Sequence, residues 1–472
     1  MQTVSLAALV WVLSLCVSAR QAATIGQIFT TSWLSATFWW LYGAMHTYGG
    51  LNGALASFAV IALAAALALY YASACAAYWQ LSRTQPRAAA LLFAALWVMA
   101  EMARGTWLTG FGWGAVAYAH IDGPLSAYAP WVGAYGLVAL AAWLSAVLAG
   151  FARNGVGPWL AVVAVMVAGM VAPSVLPTWS TSTGNLSVAL LQGNIPQDEK
   201  FESGSGVPLA LQWYAQQLLA STAALVVAPE TAIPLLPQQL PPDYWDALQH
   251  HFRSGQQAAL IGIPLGSYSE GYTNSVVGLH PGQASVARYD KHHLVPFGEF
   301  IPPLFKWFTQ LMNIPLGDFN RGAIGQASMV WHGQHLAPNI CYEDLFGEEL
   351  GARFIDPLAA PTILVNVSNI GWFGNTVAID QHLQISRMRA LEFERPMLRA
   401  TNTGATVIID HRGVVAASLP RHTRGVLVGQ VQGRTGTTPY AWWVSRLGLW
   451  PLWLLAIAII FVAARARSAL AR

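Results

Sequence analysis

The chain alternates between long apolar runs and a central stretch of shorter ones. Between residues 179 and 446, short apolar runs are separated by Gly, Pro and polar residues, which is typical of an α/β domain. Elsewhere the runs approach the roughly 20 mostly apolar residues that a transmembrane helix needs, near residues 3–19, 22–44, 51–80, 86–103, 129–151, 157–177 and 447–464. The pattern predicts a polytopic α-helical membrane domain with an inserted α/β domain. We expect about six spans in 1–178, the α/β domain in 179–446, and a last span with a short basic tail in 447–472.

The composition agrees with this division. Hydrophobic residues make up 55% of the chain and charged residues only 10%, compared with about 25% charged in ordinary soluble domains. The chain has 24 Lys and Arg and 21 Asp and Glu, of which only seven precede residue 179. A net charge of +3, without a basic patch interleaved with aromatics, gives no indication of nucleic-acid binding.

Basic residues in the short loops predict the orientation. Arg20, Arg83, Arg87, Arg153 and the basic tail at 465–472 fall on one common side of the predicted spans. Because cytoplasmic loops carry an excess of Lys and Arg, that side is predicted to be the cytoplasm and the inserted domain to lie outside. This places the N-terminus outside, so we expect a further helix to precede this chain in the natural protein.

The three cysteines differ in their surroundings. Cys16 and Cys75 lie in apolar spans and are expected to be small packing residues. Cys341, in "NICYEDLF", lies alone in the outer domain, where no second cysteine could form an intramolecular disulfide with it. A lone thiol in such a compartment is either buried and inert or kept for its reactivity.

Three stations of the outer domain share one form, an apolar strand-like run that ends in a reactive side chain. They are "ALVVAPE" with Glu230, "ASVARYDK" with Lys291 and, eight residues later, Glu299, and "HLAPNIC" with Cys341. Side chains at the carboxyl ends of strands in an α/β fold converge on one crevice. Each residue alone is more often a loop, surface or core residue, so the prediction depends on their joint presence.

The residue types suit nucleophilic catalysis. A thiol attacks as thiolate and needs a base, and Glu230 can serve if its surroundings raise its pKa toward neutrality. Lys291 and the backbone N–H of Tyr342 can hold the oxyanion of a tetrahedral intermediate. Glu299 and Glu343 would orient Lys291 and keep it charged. The carboxylates near Cys341 indicate that the resting thiol need not be ionised.

Longer motifs resemble a known family. "APETAIP", "YDKHHLVPFGEFIP" and "NICYEDLF" resemble the glutamate, lysine and cysteine signatures of the nitrilase superfamily. Together with the spans on both sides of the domain, they resemble its membrane-embedded branch, the apolipoprotein N-acyltransferases. Four further stretches match in order, at 108–130, 190–197, 366–376 and 381–406.

The resemblance implies a fold, a reaction and a location. The α/β domain would be an α-β-β-α sandwich, with Glu230 as base, Lys291 at the oxyanion and Cys341 as nucleophile. A fatty acyl chain would pass from a phospholipid to Cys341 and then to the α-amine of a diacylglyceryl-cysteine on an apolipoprotein, by a ping-pong scheme without metal or cofactor. The protein would be a multi-pass monomer of the bacterial inner membrane with its catalytic domain in the periplasm.

The substrate-contacting residues are less clearly indicated. Phe201, Trp372 and Phe373 are apolar candidates for lining a lipid opening, or ordinary core and interfacial aromatics. Arg104, three residues after Glu101 at the outer end of a span, is either half of a helix-end pair or a ligand for a lipid phosphate. The family commonly has Trp at the position of Phe201, and an acidic residue where this chain has Ile370, so the chain departs from the family pattern at two positions near the site.

Two other functions are compatible with the sequence. A membrane-tethered nitrilase-like amidase would share the three residues but use water as acceptor. A polytopic lipid-binding scaffold would carry an inactive domain. The twelve histidines show no HExxH spacing and no Cys/His set, so the sequence predicts no metal site.

Overall fold

The computed structural model describes residues 1–150, 157–282, 286–301 and 318–470. Arg153 and Arg472, which contributed to the predicted orientation, lie outside the described residues. The chain divides into two compact units. The helical unit comprises Met1–Tyr42, Asn52–Thr178 and Arg446–Arg472, and the α/β unit comprises Gly43–Leu51 and Trp179–Ser445.

The helical unit consists of apolar helices joined by short loops. Its helices are Gln2–Leu15, Ala19–Thr37, Gly53–Ser82, Ala89–Thr106, Ala129–Ala149, Gly157–Val175 and Trp450–Leu470. Five helical segments of the described chain are long and apolar enough to cross a membrane: Gly53–Ser82, Pro86–Thr109, Pro124–Ala149, Gly157–Val175 and Trp450–Ser468. The last two leave most of their apolar side chains exposed within the unit, as expected of helices whose solvent is lipid.

The run near 22–44, which was expected to form a transmembrane span, differs from the other apolar runs. It forms the helix Ala19–Thr37, which contains several Thr, Ser and Gln residues and is not among the five segments. The segment Gly43–Leu51, just after it, belongs to the α/β unit. There the ring of Tyr48 lies edge-on to that of Trp372, with centroids 5.8 Å apart. A piece of chain between two helices therefore packs on a loop of the α/β unit.

The α/β unit contains two six-stranded sheets among its described residues. The first has the order β12-β1-β2-β3-β4-β5 and the second β11-β10-β9-β8-β7-β6. In chain order the strands are β1 Ser180–Gln192, β2 Leu225–Val227, β3 Ala258–Ser267, β4 Gly271–Leu279, β5 Ala287–Asp290, β6 Met329–Trp331, β7 Gln334–Ile340, β8 Ile363–Ser368, β9 Met397–Thr401, β10 Val407–Ile409, β11 Val415–Ser418 and β12 Gly425–Gly436.

The sheets pack face to face with helices outside them. One core contains inward side chains of both sheets, such as Val188 and Val227 of the first and Val365 and Leu398 of the second. A second core joins the outer face of the first sheet to helices Gly206–Ala220 and Tyr244–Ser254. Helices Gly347–Gly351, Ala378–Phe393 and Pro439–Leu447 follow strands of the second half. Because these layers cover the strands on both faces, β2, β8 and β9 are buried along their whole length.

Parallel pairing determines where the functional loops lie. β1, β2 and β3 run parallel in the first sheet, and β7, β8 and β9 in the second. Parallel neighbours require crossover connections, so the residues that follow β2, β7 and β8 emerge at carboxyl ends of strands. Those ends carry the candidate site.

Candidate active site

Cys341 directly follows β7 and begins a short 3-10 turn, Cys341–Leu345. Its backbone φ of +53° lies in the left-handed region, which residues other than glycine adopt at an energetic cost. At the end of β8, Ser368 donates a hydrogen bond from Oγ to the Cys341 sulfur at 3.3 Å. A strained turn that presents a thiol beside a hydroxyl donor is typical of a functional site rather than of core packing.

Lys291 follows β5 and is almost fully buried, with 1% of its side chain exposed. Its Nζ donates to Glu299 Oε1 at 2.9 Å and to Glu230 Oε1 at 3.3 Å. Burial alone would lower the pKa of Lys291, but the two carboxylates raise it above its ordinary value. The ammonium therefore stays charged in the site.

Glu230 lies three residues after β2 and is held on both carboxylate oxygens. Oε1 also accepts from Asn274 Nδ2 at 2.8 Å, and Oε2 accepts from the backbone N–H of Asn369 at 2.8 Å. Burial acts to raise the pKa of Glu230, but Lys291, Lys200 and these hydrogen bonds lower it below the ordinary value. The condition named for Glu230 as base, a pKa raised toward neutrality, is therefore not met in the resting site, and the resting group is a carboxylate.

Asn274 joins the two carboxylates of the site. From β4, its Nδ2 donates to Glu230 Oε1 and to Glu299 Oε1, the latter at 2.7 Å. The backbone carbonyl oxygen of Asn274 accepts from the backbone N–H of Lys291 at 2.8 Å. Glu299 is fixed in turn by the N–H of Val295, 2.8 Å from its Oε2. One side chain of β4 thus sets the spacing of the glutamates around the lysine.

The Cys341 thiol is protonated at neutral pH. Burial is the main cause that raises its pKa to about 12, and the charge of Glu230 adds to it, whereas Lys291 and the hydrogen bond from Ser368 act in the opposite direction. Ser368, which donates to the sulfur, is followed by Asn369, whose N–H donates to Glu230, and Glu230 accepts from Lys291. This chain of contacts brings the three predicted residues together. The expectation that the resting thiol is not ionised agrees with its raised pKa.

Glu343 has a different set of partners from the one expected. Its described hydrogen bonds come from the N–H of His292 at 2.7 Å, of His293 at 3.1 Å and of Ile340 at 2.7 Å, and from the hydroxyl of Tyr289 at 2.7 Å. It therefore supports Lys291 through the backbone of the next residues rather than by pairing with the ammonium. The Tyr342 side chain is buried in the same turn.

The sequence analysis did not single out Lys200. It is buried, and its Nζ donates to the carbonyl oxygen of Glu230 at 3.0 Å and to Thr231 Oγ1 at 2.6 Å. Burial lowers the pKa of Lys200 to about 8, although Glu230 and Cys341 act to raise it. Its position in "GNIPQDEK", directly after a motif that had been noted, was the available signal.

The apolar candidates lie close to these groups in the chain. Phe201 has 43% of its surface exposed, and the Lys200 ammonium is 5.8 Å from its ring centroid. Trp372 and Phe373 are half-buried in the turn Gly371–Phe373. Ile370 is fully buried, so the position where an acidic residue was expected is filled by packing.

Arg104 belongs to the helical unit and uses its donors internally. It is 1% exposed and donates to Glu101 and to the hydroxyl of Tyr71, both at 2.8 Å. Nη1 also donates to the carbonyl oxygens of Phe111 and Trp113. Because every guanidinium nitrogen has a partner, the geometry contradicts a role in binding lipid phosphate and favours an internal pair that fixes the following loop.

A bound metal ion would need a cluster of ligating side chains in the part of the chain that the structure describes. Within those residues, no group of three or more His, Cys, Asp or Glu side chains is arranged to hold a metal ion. The carboxylates of the site are instead occupied by Lys291, Asn274 and backbone N–H groups.

Two family models match the chain in order. Residues 1–147 match the apolipoprotein N-acyltransferase N-terminal domain, and residues 187–440 match the carbon-nitrogen hydrolase family.

Full-length relatives extend this match. An apolipoprotein N-acyltransferase of Verminephrobacter eiseniae is 58% identical over 474 residues, which cover 95% of this chain and 88% of that protein. One of Ralstonia nicotianae is 45% identical and covers 99% of this chain and 89% of its own. A carbon-nitrogen hydrolase structure from Helicobacter pylori is 17% identical, covers 57% of this chain and 94% of its own, and has a TM-score of 0.39. Identity of 58% over almost the whole chain shows that this protein belongs to the apolipoprotein N-acyltransferase family, with a carbon-nitrogen hydrolase domain as its α/β part.

Proposed function

We propose that this protein transfers a fatty acyl chain from a phospholipid to the N-terminal α-amine of the diacylglyceryl-cysteine of an apolipoprotein, through a thioester on Cys341. The observation that carries the proposal is the buried cluster in which Lys291 bonds both Glu230 and Glu299 beside the Cys341 thiol. It contains a nucleophile, a base and a fixed cation, which together are sufficient for acyl transfer.

In the first half-reaction, Glu230 accepts the thiol proton as the sulfur attacks the ester carbonyl carbon of the phospholipid. The oxyanion that forms is held by the Lys291 ammonium and the backbone N–H of Tyr342. When the intermediate collapses, the C–O bond breaks and Glu230 returns the proton to the leaving oxygen of the lysophospholipid. The acyl chain remains on Cys341 as a thioester.

In the second half-reaction, the α-amine attacks the thioester carbonyl. Glu230 takes a proton from the attacking amine, the C–S bond breaks, and the proton passes to the sulfur. The amide and the free Cys341 thiol are the products, so the scheme is ping-pong and balances without a cofactor.

The lowered pKa of Glu230 is compatible with its work as a base. In the resting site Lys291 stabilises the carboxylate and disfavours its protonation. As the oxyanion develops, the Lys291 ammonium acquires a third anionic partner beside Glu230 and Glu299, and its hold on Glu230 weakens. The basicity of Glu230 therefore rises when the proton must move, which lowers the barrier in the transition state rather than in the ground state.

Both substrates are anchored in lipid, which gives the apolar helices a role. Each buried CH₂ of an acyl chain contributes about 0.8 kcal/mol to membrane binding, so extracting either substrate into water would be prohibitive. We propose that the helical unit spans the bacterial inner membrane several times, that the α/β unit lies on the periplasmic side, and that the protein acts as a monomer. Exposed Phe201 and half-buried Trp372 would contact the acyl chains.

The first test is intact-mass measurement of the purified full chain with a phospholipid that carries an isotope-labelled acyl chain. We expect a labelled fatty-acyl adduct that hydroxylamine releases and that peptide mapping places on Cys341. A folded protein that forms no adduct would overturn the proposal.

Acceptor choice separates the transferase from an amidase. A diacylglyceryl-cysteine peptide with a free α-amine should remove the acyl group from the enzyme, and the same peptide with an acetylated α-amine should not. Release to water at the same rate with either peptide would favour a hydrolase.

Replacing Lys200 with methionine should move the acidic limb of the pH–rate profile to higher pH. Lys200 lowers the pKa of Glu230, and the rate falls when the pH drops through that pKa because the base becomes protonated. Loss of the Lys200 charge should raise the midpoint pH of this limb by about half a pH unit or more. The measurement is the rate of thioester formation against pH. Lys200→Gln, also uncharged, should shift the limb equally, and an unmoved limb in both variants would contradict this electrostatic role.

A further inference from the structure

The backbone carbonyl oxygen of Cys341 is held by two side chains, Asn366 of β8 and His382 of the helix Ala378–Phe393. This oxygen accepts from Asn366 Nδ2 at 3.0 Å and lies 3.1 Å from His382 Nε2. A left-handed φ on a residue with a side chain persists only where the surroundings impose it. Both contacts act on the strained residue itself. Asn366 belongs to strand β8, whereas His382 lies on a helix and has no role in the proposed acyl-transfer chemistry.

The partners of His382 determine its tautomer. Arg399 Nη2 lies 2.7 Å from His382 Nδ1, and a guanidinium can only donate. Nδ1 is therefore the acceptor, and Nε2 carries the hydrogen. Burial and the charge of Arg399 also lower the pKa of His382, so the ring is neutral. Its single N–H faces the Cys341 carbonyl oxygen and Asp344 Oδ1, the latter at 2.9 Å.

A buried polar cluster keeps the imidazole in this orientation. Asp344 Oδ2 accepts from Ser386 Oγ at 2.5 Å and from Arg399 Nη1 at 3.3 Å. Ser386 lies one helical turn after His382 in the helix Ala378–Phe393, and Arg399 is in the middle of β9. Asp344, His382, Ser386 and Arg399 are all buried. The cluster thus connects three elements to the carbonyl of one residue.

The carbonyl of Cys341 and the N–H of Tyr342 belong to the same planar peptide group. A bond that fixes the carbonyl oxygen therefore also fixes the direction of that N–H, which points the opposite way in a trans peptide. It also limits rotation of Cys341, on which the position of Sγ beside Ser368 depends. Contacts to this one carbonyl oxygen therefore align both the nucleophile and the oxyanion donor.

We propose that His382 is a positioning residue for acyl transfer, which holds the Cys341–Tyr342 peptide so that Sγ and the Tyr342 N–H face the same substrate carbonyl. The inference rests on the proposed function, in which Cys341 is the nucleophile. It also gives a role to the stretch 381–406, one of the four further stretches that match the family. That stretch contains His382, Ser386 and Arg399 and has no part in the Glu230–Lys291–Cys341 chemistry.

Two amide substitutions test the position of the donor. The side-chain nitrogen of glutamine reaches near the Nε2 position of a histidine, and that of asparagine only near Nδ1. His382→Gln should retain the single-turnover rate of thioester formation to within about threefold, whereas His382→Asn should lower it about thirtyfold or more. The KM for phospholipid should change less than about twofold in both, because the contact lies on the side of the peptide away from the substrate.

Alkylation of Cys341 by iodoacetamide, quantified on its own peptide, gives a readout that needs no lipid. We expect His382→Asn to be alkylated about threefold or more slowly than His382→Gln at the same pH, because a displaced sulfur loses the contact with Ser368 and the field of Lys291. Thermal unfolding of both variants serves as the control. This readout keeps its meaning even if the wild type forms no acyl adduct.

Equal acylation and alkylation rates in the two amide variants would overturn the proposal, as would a loss in His382→Asn that appears in KM alone. If His382→Asn does not fold, Asn366→Ala removes the other donor to the same carbonyl oxygen. Because that variant leaves His382 in place on the oxygen, it should keep the acylation rate to within about tenfold with unchanged KM. A loss of about thirtyfold or more would assign the positioning to Asn366 and overturn the proposal.

Discussion

Replacing Cys341 with alanine is expected to abolish both the acyl adduct and transfer to the peptide acceptor. The sulfur is the atom that would carry the acyl chain, and a methyl group offers no nucleophile. Cys16 and Cys75 are buried in the helical unit and are expected to stay unmodified. Intact mass after incubation with labelled phospholipid, together with the yield of acylated peptide, measures both losses in one sample.

Serine at the same position gives the matched control. Cys341→Ser keeps the size and hydrogen-bonding capacity of the side chain, but a hydroxyl is far less acidic than a thiol and Glu230 is a weakened base in the resting site. We expect the serine hydroxyl to be acylated, as an oxyester, at least about 10³-fold more slowly than the thiol. Full acylation of Cys341→Ala would instead identify another nucleophile, and Ser368, 3.3 Å from the sulfur, would be the first to replace.

The apolar helices long enough to span a membrane and the nitrilase-like α/β domain could be predicted from the sequence, and both are confirmed. Apolar runs with few charges have few alternatives to a helix in lipid, and the strand ends at Glu230, Lys291 and Cys341 carry a strong local pattern. Parallel β topology accounts for the positions of Glu230 and Cys341, which follow β2 and β7. Lys291 follows β5, which pairs antiparallel with β4, so its arrival at the same place did not follow from that rule.

Contacts between a side chain and distant backbone could not be predicted in this way. Glu343 bonds the N–H groups of His292 and His293, and Lys200 bonds the carbonyl of Glu230. Such bonds depend on how two loops lie against each other in the folded protein. The pattern of hydrophobic and polar residues along the chain does not indicate that arrangement. The lowered pKa of Glu230 escaped prediction for the same reason, since it needs the positions of two ammonium groups.

Replacing Glu230 with glutamine is expected to have opposite effects on two properties of Cys341. Thioester formation should fall about 10³-fold or more, because the thiol proton loses its acceptor. The pKa of the Cys341 thiol should fall as well, because the charge of Glu230 is one of the causes that raise it and Lys291 loses one of its two carboxylate partners. The variant would thus hold a more easily ionised thiol that is a poorer catalyst.

The two effects are separated by pairing acylation kinetics with iodoacetamide alkylation of Cys341 across pH. In Glu230→Gln the alkylation midpoint should move to lower pH than in the wild type while acylation stays low at every pH. Asn274→Asp, which replaces a donor to both carboxylates by an acid, provides a control that leaves Glu230 in place and should raise rather than lower the alkylation midpoint. If acylation of Glu230→Gln recovers as its thiol ionises, Glu230 acts by setting the charge of the site. If acylation does not recover, the carboxylate must move the proton during attack, since a thiolate already formed would otherwise be sufficient.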